Sequence, residues 1–284
     1  MDSKSIEGNL MGVQVPPPAY FAILGDHLSG KGIDRIDLDQ GEGVLIEHDM
    51  TNATDISTPL ALVRGRIESA AARAGRPSRG VDVIAVTKGH PAPFVRVAAA
   101  SGILDIGENR VQEALEKVEE LQDIAVRWHL IGTLQTNKAR PAVRQFQMVQ
   151  SVDRAEIASA LKKECDRQNK SLDVLVQVEA SGEPTKHGAR PDQVPALIDA
   201  VLACPRLHLR GLMTIGPLTP ESDKIRACFR TVAELFRIIR SGGKAGPSFD
   251  TLSMGMSGDF EIAVEEGATM LRLGTALFGA RSAP

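Results

Sequence analysis

Cysteine, tyrosine and tryptophan are scarce in this chain: 284 residues hold three, one and one of them. Each shortage, and each missing motif, excludes something. Cys165, Cys204 and Cys228 are scattered and form no CxxC pair. That argues against a disulfide framework or a zinc site and suits a reducing cytoplasm, with each thiol a small buried hydrophobe. No stretch nears the roughly 18–20 apolar residues that cross a bilayer, and no basic segment with an apolar core opens the chain. Neither a membrane span nor a secretory signal is expected. A net charge of −3 gives no electrostatic reason to expect nucleic acid or an anionic membrane as partner.

What is present is an ordinary globular composition, 43% hydrophobic and 24% charged, with ample material for a large core. The charge is uneven. Residues 1–50 hold nine acidic and three basic side chains; the other 234 hold 27 and 30. The first stretch also carries Pro16, Pro17 and Pro18 and no sustained period, so residues 1–53 read as an acidic, poorly ordered extension. Met50 is an alternative start. Residues 54–284 read as one domain.

In that domain apolar strand-like runs alternate with helical patterns. A helix is predicted over 57–75, with Leu60, Val63, Ile67, Ala70 and Ala71 on one face. Strands follow at 81–87, 103–106, 127–131, 147–151, 172–179, 207–213, 249–252 and 269–273, a helical stretch separating each from the next. Eight strands with right-handed crossovers predict a single (β/α)₈ TIM barrel. Pattern alone leaves an open doubly wound sheet possible, but no GxGxxG follows the first strand.

In such a barrel chemistry gathers where strands end. Lys88 ends strand 1 on the face of Ile84 and Val86, so it is expected to point inward at the mouth, where partial desolvation helps an amine lose its proton. The plainer reading is a solvated or ion-paired lysine. Two later loops favour the sharper one. Met254-Gly-Met-Ser-Gly-Asp259 follows strand 7, and Gly274-Thr275 follows strand 8. Loops in those two places are the habitual phosphate cradle of this fold. Ser257 and Thr275 offer hydroxyls there, and Gly258 and Gly274 let backbone N–H groups come close. Arg272 shares a strand face with Gly274, so it points into the barrel. Its partner is either an internal carboxylate or the ring nitrogen of a bound pyridine. His129, Lys138 and Lys186 are candidates only through their shared location at strand ends.

The runs AVTKGHP (85–91), IGENRVQEA (106–114), WHLIGTLQTNK (128–138), GEPTKHG (182–188), GLMTIG (211–216) and MGMSGDFEIAVEEGATMLRLGTALFGAR (254–281) resemble the pyridoxal phosphate homeostasis protein family, relatives of the alanine racemase N-terminal barrel. The likeness spans about residues 56–281. It implies pyridoxal 5′-phosphate (PLP) held covalently on Lys88, with Ser257, Gly274 and Thr275 on its phosphate. Arg272 would face the pyridine nitrogen, and Asn109, His129 and Met213 would line the pocket. Lys186 matches a lysine linked to handing the cofactor over. Thr87 stands where serine is usual, and Gly89 where a bulkier polar residue is typical.

A racemase of this lineage needs two bases, and in alanine racemase the second is a tyrosine from an added domain. Here the only tyrosine is Tyr20, in the extension, and the chain stops just after the barrel. The resemblance and the missing second base together imply a PLP carrier serving apo PLP-dependent enzymes, not a catalyst. A cytoplasmic location follows from the cysteine usage, and a monomer is expected because no exposed apolar stripe stands out. The alternative is a weak racemase-like PLP enzyme acting on amino acids. A cofactor-free Schiff-base lyase would have no use for Arg272, and a pure interaction protein would leave the polar strand ends unexplained.

Overall fold

The computed structural model describes residues 55–183 and 186–280. The extension expected over 1–53 lies outside them. Within the described residues eight parallel strands pair in chain order, and β8 (Met270–Leu273) returns to β1 (Asp82–Val86), closing the barrel. Between them lie β2 (Asp105–Glu108), β3 (Arg127–Leu130), β4 (Met148–Val152), β5 (Leu172–Val178), β6 (Leu207–Thr214) and β7 (Thr251–Ser253). The predicted barrel is the observed one.

Each predicted strand is found, with edges moved for physical reasons. The run expected to start at 103 starts at Asp105. The Ile103 N–H still donates to Ala98 O, and Gly102 takes φ +83. Ile103 thus finishes α2 (Pro93–Ala100) by the left-handed turn that commonly ends a helix. The first helix, α1 (Ser57–Arg73), buries Leu60, Val63, Ile67, Ala70 and Ala71, the face read from its spacing.

The two faces of the barrel wall differ. Outward side chains, including Ala85, Ile106, Leu130, Val149, Val174, Val176, Leu252 and Leu271, join the helices in one continuous apolar cluster. A β-bulge keeps β6 in phase with it. Val174 pairs with Leu209 but Leu175 with Gly211, so Arg210 is an extra residue. Alternation restarts beyond it, with Leu212 outward and Met213 inward. Gly211 is required at this point, because an added Cβ would lie 1.7 Å from Thr251 O. Barrels of this kind are usually filled by branched aliphatic side chains. Here the interior joins apolar side chains, Ile84, Val86, Met148, Leu175, Met213 and Met270, to buried Asp105, His129, Gln150, Gln177, Ser253 and Arg272.

Candidate functional site

Lys88 occupies the turn directly after β1 and is half-buried. Both flanking peptides are clamped from α3 (Val111–Glu120). Lys117 Nζ donates to Thr87 O at 2.7 Å, and the Gly89 N–H donates to Glu113 Oε1. Gly89 sits at φ +70, a conformation a side chain resists, so glycine suits a turn that places the lysine between two fixed peptides.

Behind this turn lies a buried charge cluster that the sequence reading missed. Glu108 Oε1 accepts from both Lys117 Nζ and the Thr87 hydroxyl, the latter at 2.6 Å. Lys117 Nζ also reaches Glu113 Oε1 at 3.0 Å. Glu108 is fully buried and its Oε2 has no hydrogen-bond partner among the described residues. Burial pushes its carboxyl above the usual range, and the attraction of Lys117 only partly offsets this. Glu113 and Lys117 stand four residues apart on one helix face, and that spacing was the available signal.

The two loops after β7 and β8 are joined. Ser257 Oγ accepts from the Ala276 N–H at 3.0 Å, tying the β7 loop to the short helix after β8 (Thr275–Phe278). Asp259 holds the same loop by accepting from the Met256 N–H. Burial pushes the Asp259 carboxyl up despite that bond. The N–H groups of Ser257 and Gly258 meet no acceptor among the described residues. The Thr275 side chain is exposed, and a Cβ at Gly274 would lie 3.2 Å from Val86 O.

Arg272 is buried inside the barrel, where Nη1 donates to Ser253 Oγ and Nη2 to Thr214 O, both at 2.7 Å. No carboxylate forms an ion pair with it among the described residues. Burial pushes its guanidinium down to about 10, and the nearby Asp259 only partly counters that.

The remaining candidates divide. Met213 lies in the interior beside Met148 and Leu175. Asn109 is half-buried in the β2 loop, whose backbone packs so closely on Gly132 that a Cβ there would lie 2.2 Å from Asn109 O. Lys186 donates to Gly216 O at 2.6 Å and pairs with Glu183 at 3.1 Å, bridging the β5 and β6 loops. Lys138 is exposed in a short 3₁₀ turn, Thr136–Lys138. His129, expected to line the pocket, is instead enclosed within the barrel. Its Nε2 faces Asp105 at 2.7 Å and its Nδ1 faces Gln150 at 3.2 Å, and the residue is 3% exposed. Its neighbours Gln150 and Ser253 were not singled out from the sequence. Their one signal is a polar residue at an inward position of a strand that is otherwise apolar.

Residues 60–282 match the model of the alanine racemase N-terminal domain. A pyridoxal phosphate homeostasis protein of Pseudomonas aeruginosa is 47% identical over 226 residues, 80% of this chain and 96% of that one. One from Aquifex aeolicus is 40% identical over 223 residues, 78% and 96% of the two chains. Among solved structures, PipY of Synechococcus elongatus with PLP bound is similar at a TM-score of 0.69 and 36% identity, over 79% of this chain and 100% of that one. On these matches, the chain belongs to the alanine racemase N-terminal domain family, among relatives that carry the name pyridoxal phosphate homeostasis protein.

Proposed function

We propose that this protein binds PLP covalently, as a Schiff base on Lys88, and maintains intracellular PLP without significant racemase activity. The observation that carries the reading is Arg272, a buried cation held by two neutral oxygens and, among the described residues, by no carboxylate. A desolvated guanidinium in that setting favours a further acceptor. A pyridine nitrogen is such an acceptor, and the rest of the mouth fits the same molecule. The unengaged N–H groups of Ser257 and Gly258, with Gly274 and the Thr275 hydroxyl, suit a phosphate. Lys88 suits an aldehyde.

When bound, PLP supplies an aldehyde that condenses with amines and a ring that draws electron density from the adduct. This chain's residues bind and restrain it. Arg272 remains a donor at neutral pH, so the ring nitrogen it meets is unprotonated and a weaker electron sink. The clamped Thr87 and Gly89 peptides fix the root of Lys88, and Ser257 holds the two phosphate loops together. Asn109 and Met213 shape the pocket wall, and Lys186, on the bridge between the β5 and β6 loops, helps release the cofactor to apo PLP-dependent enzymes.

The alternative, a weak racemase-like enzyme acting on amino acids, needs a second base opposite Lys88. His129 does not serve, because both its nitrogens are engaged inside the barrel. The described residues contain no tyrosine. No helix among them is long and apolar enough to cross a membrane. We place the protein in the cytoplasm as a monomer, with residues 1–53 an appendage to a barrel domain over 54–284.

Borohydride reduction of the protein incubated with PLP, followed by peptide mapping, tests the assignment. The label is expected on Lys88 and absent from Lys88→Ala. Equal visible spectra for the two proteins given PLP would overturn it, and steady α-deuterium exchange of an amino acid at enzymatic rates would favour the alternative.

A further inference from the structure

The barrel interior contains a chain of hydrogen bonds that cofactor binding alone does not call for. Arg272 Nη1 donates to Ser253 Oγ at 2.7 Å, and the Ser253 hydroxyl donates to Gln150 Oε1 at 2.7 Å. Gln150 Nε2 lies 3.2 Å from His129 Nδ1, and His129 Nε2 lies 2.7 Å from Asp105 Oδ1. Asp105 Oδ2 then accepts from Arg127, whose side chain is 66% exposed. Ser253, Gln150 and His129, each at most 3% exposed, together with Asp105, 9% exposed, thus connect a buried cation to solvent at the end of the barrel where strands begin.

The donor inventory gives the chain a single polarity. Arginine only donates, so the Ser253 oxygen accepts and its one proton is left for Gln150 Oε1. The amide must then present its NH₂ to His129 Nδ1, which has to be a bare lone pair. The ring proton therefore sits on Nε2, facing the Asp105 carboxylate. Burial raises Asp105, but the bonds from His129 and Arg127 outweigh it and hold the carboxylate ionised. A second proton, on Nδ1, has nowhere to go unless the amide reverses. Reversal puts an NH₂ against Ser253 Oγ, in competition with Arg272 Nη1 for the same lone pairs. Protonating His129 thus loosens one of the two protein contacts that fix Arg272.

We propose that Ser253, Gln150 and His129 are positioning residues that set the guanidinium of Arg272, so that the grip on the pyridine ring depends on whether His129 carries one proton or two. This rests on the reading that PLP binds above Arg272. The charged groups at this end of the barrel are Asp105 on β2, which meets the His129 ring, Arg127 on the same strand as His129, and Asp82 on β1, whose carboxyl is pushed up by burial and by Asp105 and Asp250. Arg272 on β8 acts through Ser253. Across the same end Asp173 on β5 meets His208 and Arg210 of β6. β4 presents only Met148 and Gln150.

Two measurements on the full chain test the proposal. In the PLP-free protein, ring ¹⁵N spectra should show His129 as the Nε2–H tautomer at neutral pH. PLP affinity, read by absorbance titration, should then fall by about tenfold as pH drops through the His129 transition seen in those spectra, a size typical of coupling between two sites. Gln150→Leu should abolish that dependence, and Ser253→Thr, which keeps the hydroxyl, should retain it while Ser253→Ala loses it. An Nδ1–H tautomer, or an affinity profile that ignores the His129 transition in wild type, would overturn the relay, and neither readout needs a variant that folds. If borohydride traps no PLP on Lys88, the binding-site assignment fails separately, because the tautomer is read without PLP.

Discussion

The outward and inward faces of the same eight strands are built to opposite rules. The outward face joins the helices in one unbroken apolar cluster, whereas the inward face carries a string of buried polar groups that each need a partner. The first arrangement tolerates any well-packed hydrophobe of the right volume. The second is worth little in net stability but leaves a costly orphan whenever one member is lost. Stability is therefore expected to reside in the shell, and control of the ligand in the core of the barrel.

The strongest way to break that division is a cut in the shell. Phe249→Ala, at a fully buried position just ahead of β7 where the ring stacks on Phe236, is expected to cost about 3–5 kcal/mol in urea unfolding. PLP affinity of the fraction that remains folded should be unchanged. Lys117→Met comes next, because it leaves Glu108 buried without its cation, a loss of about 3 kcal/mol at neutral pH. The sign with pH follows from the raised Glu108 carboxyl. A folded-state pKa above the unfolded one favours folding below the unfolded value, and that contribution is lost as pH rises through the folded value. The deficit of Lys117→Met should therefore shrink as pH falls through the raised titration of Glu108, checked by unfolding curves across pH.

Gln150→Leu sharpens the comparison from inside. It strands the Ser253 hydroxyl and His129 Nδ1 together, so about 1–3 kcal/mol of stability should go, along with the pH dependence of PLP binding. Lys186→Met is the smallest change. Its bridge to Glu183 and Gly216 is partly exposed, so stability should stay within about 0.5 kcal/mol. PLP transfer to an added apoenzyme should nevertheless slow several-fold, as followed by appearance of that enzyme's activity.

The shell was far easier to read from sequence than the interior. Alternation and helix periodicity revealed the strands and the buried face of α1, and the loops after β7 and β8 could be placed because strand order locates them. The bulge at Arg210 was invisible, since nothing in Leu-His-Leu-Arg-Gly-Leu-Met says where alternation restarts. Gln150 and Ser253 escaped notice because one polar residue in a short apolar strand reads as a strand edge until closure turns it inward. His129 was drawn to the mouth by its neighbourhood in the chain, although its strand position lets Asp105 capture the ring within the barrel. The Lys117 cluster needed the fold, because Thr87 and Lys117 come together only when α3 packs back over the first turn.

The clamped turn around Lys88 also bears on kinetics. A lysine whose flanking peptides are already fastened, with glycine absorbing the awkward dihedral, has no backbone to order on arrival of a ligand and none to relax on its departure. Loading should then proceed at a rate set by encounter and by the chemistry of bond formation, without a folding step in between. Such a post can be taken and vacated many times while the barrel around it stays the same.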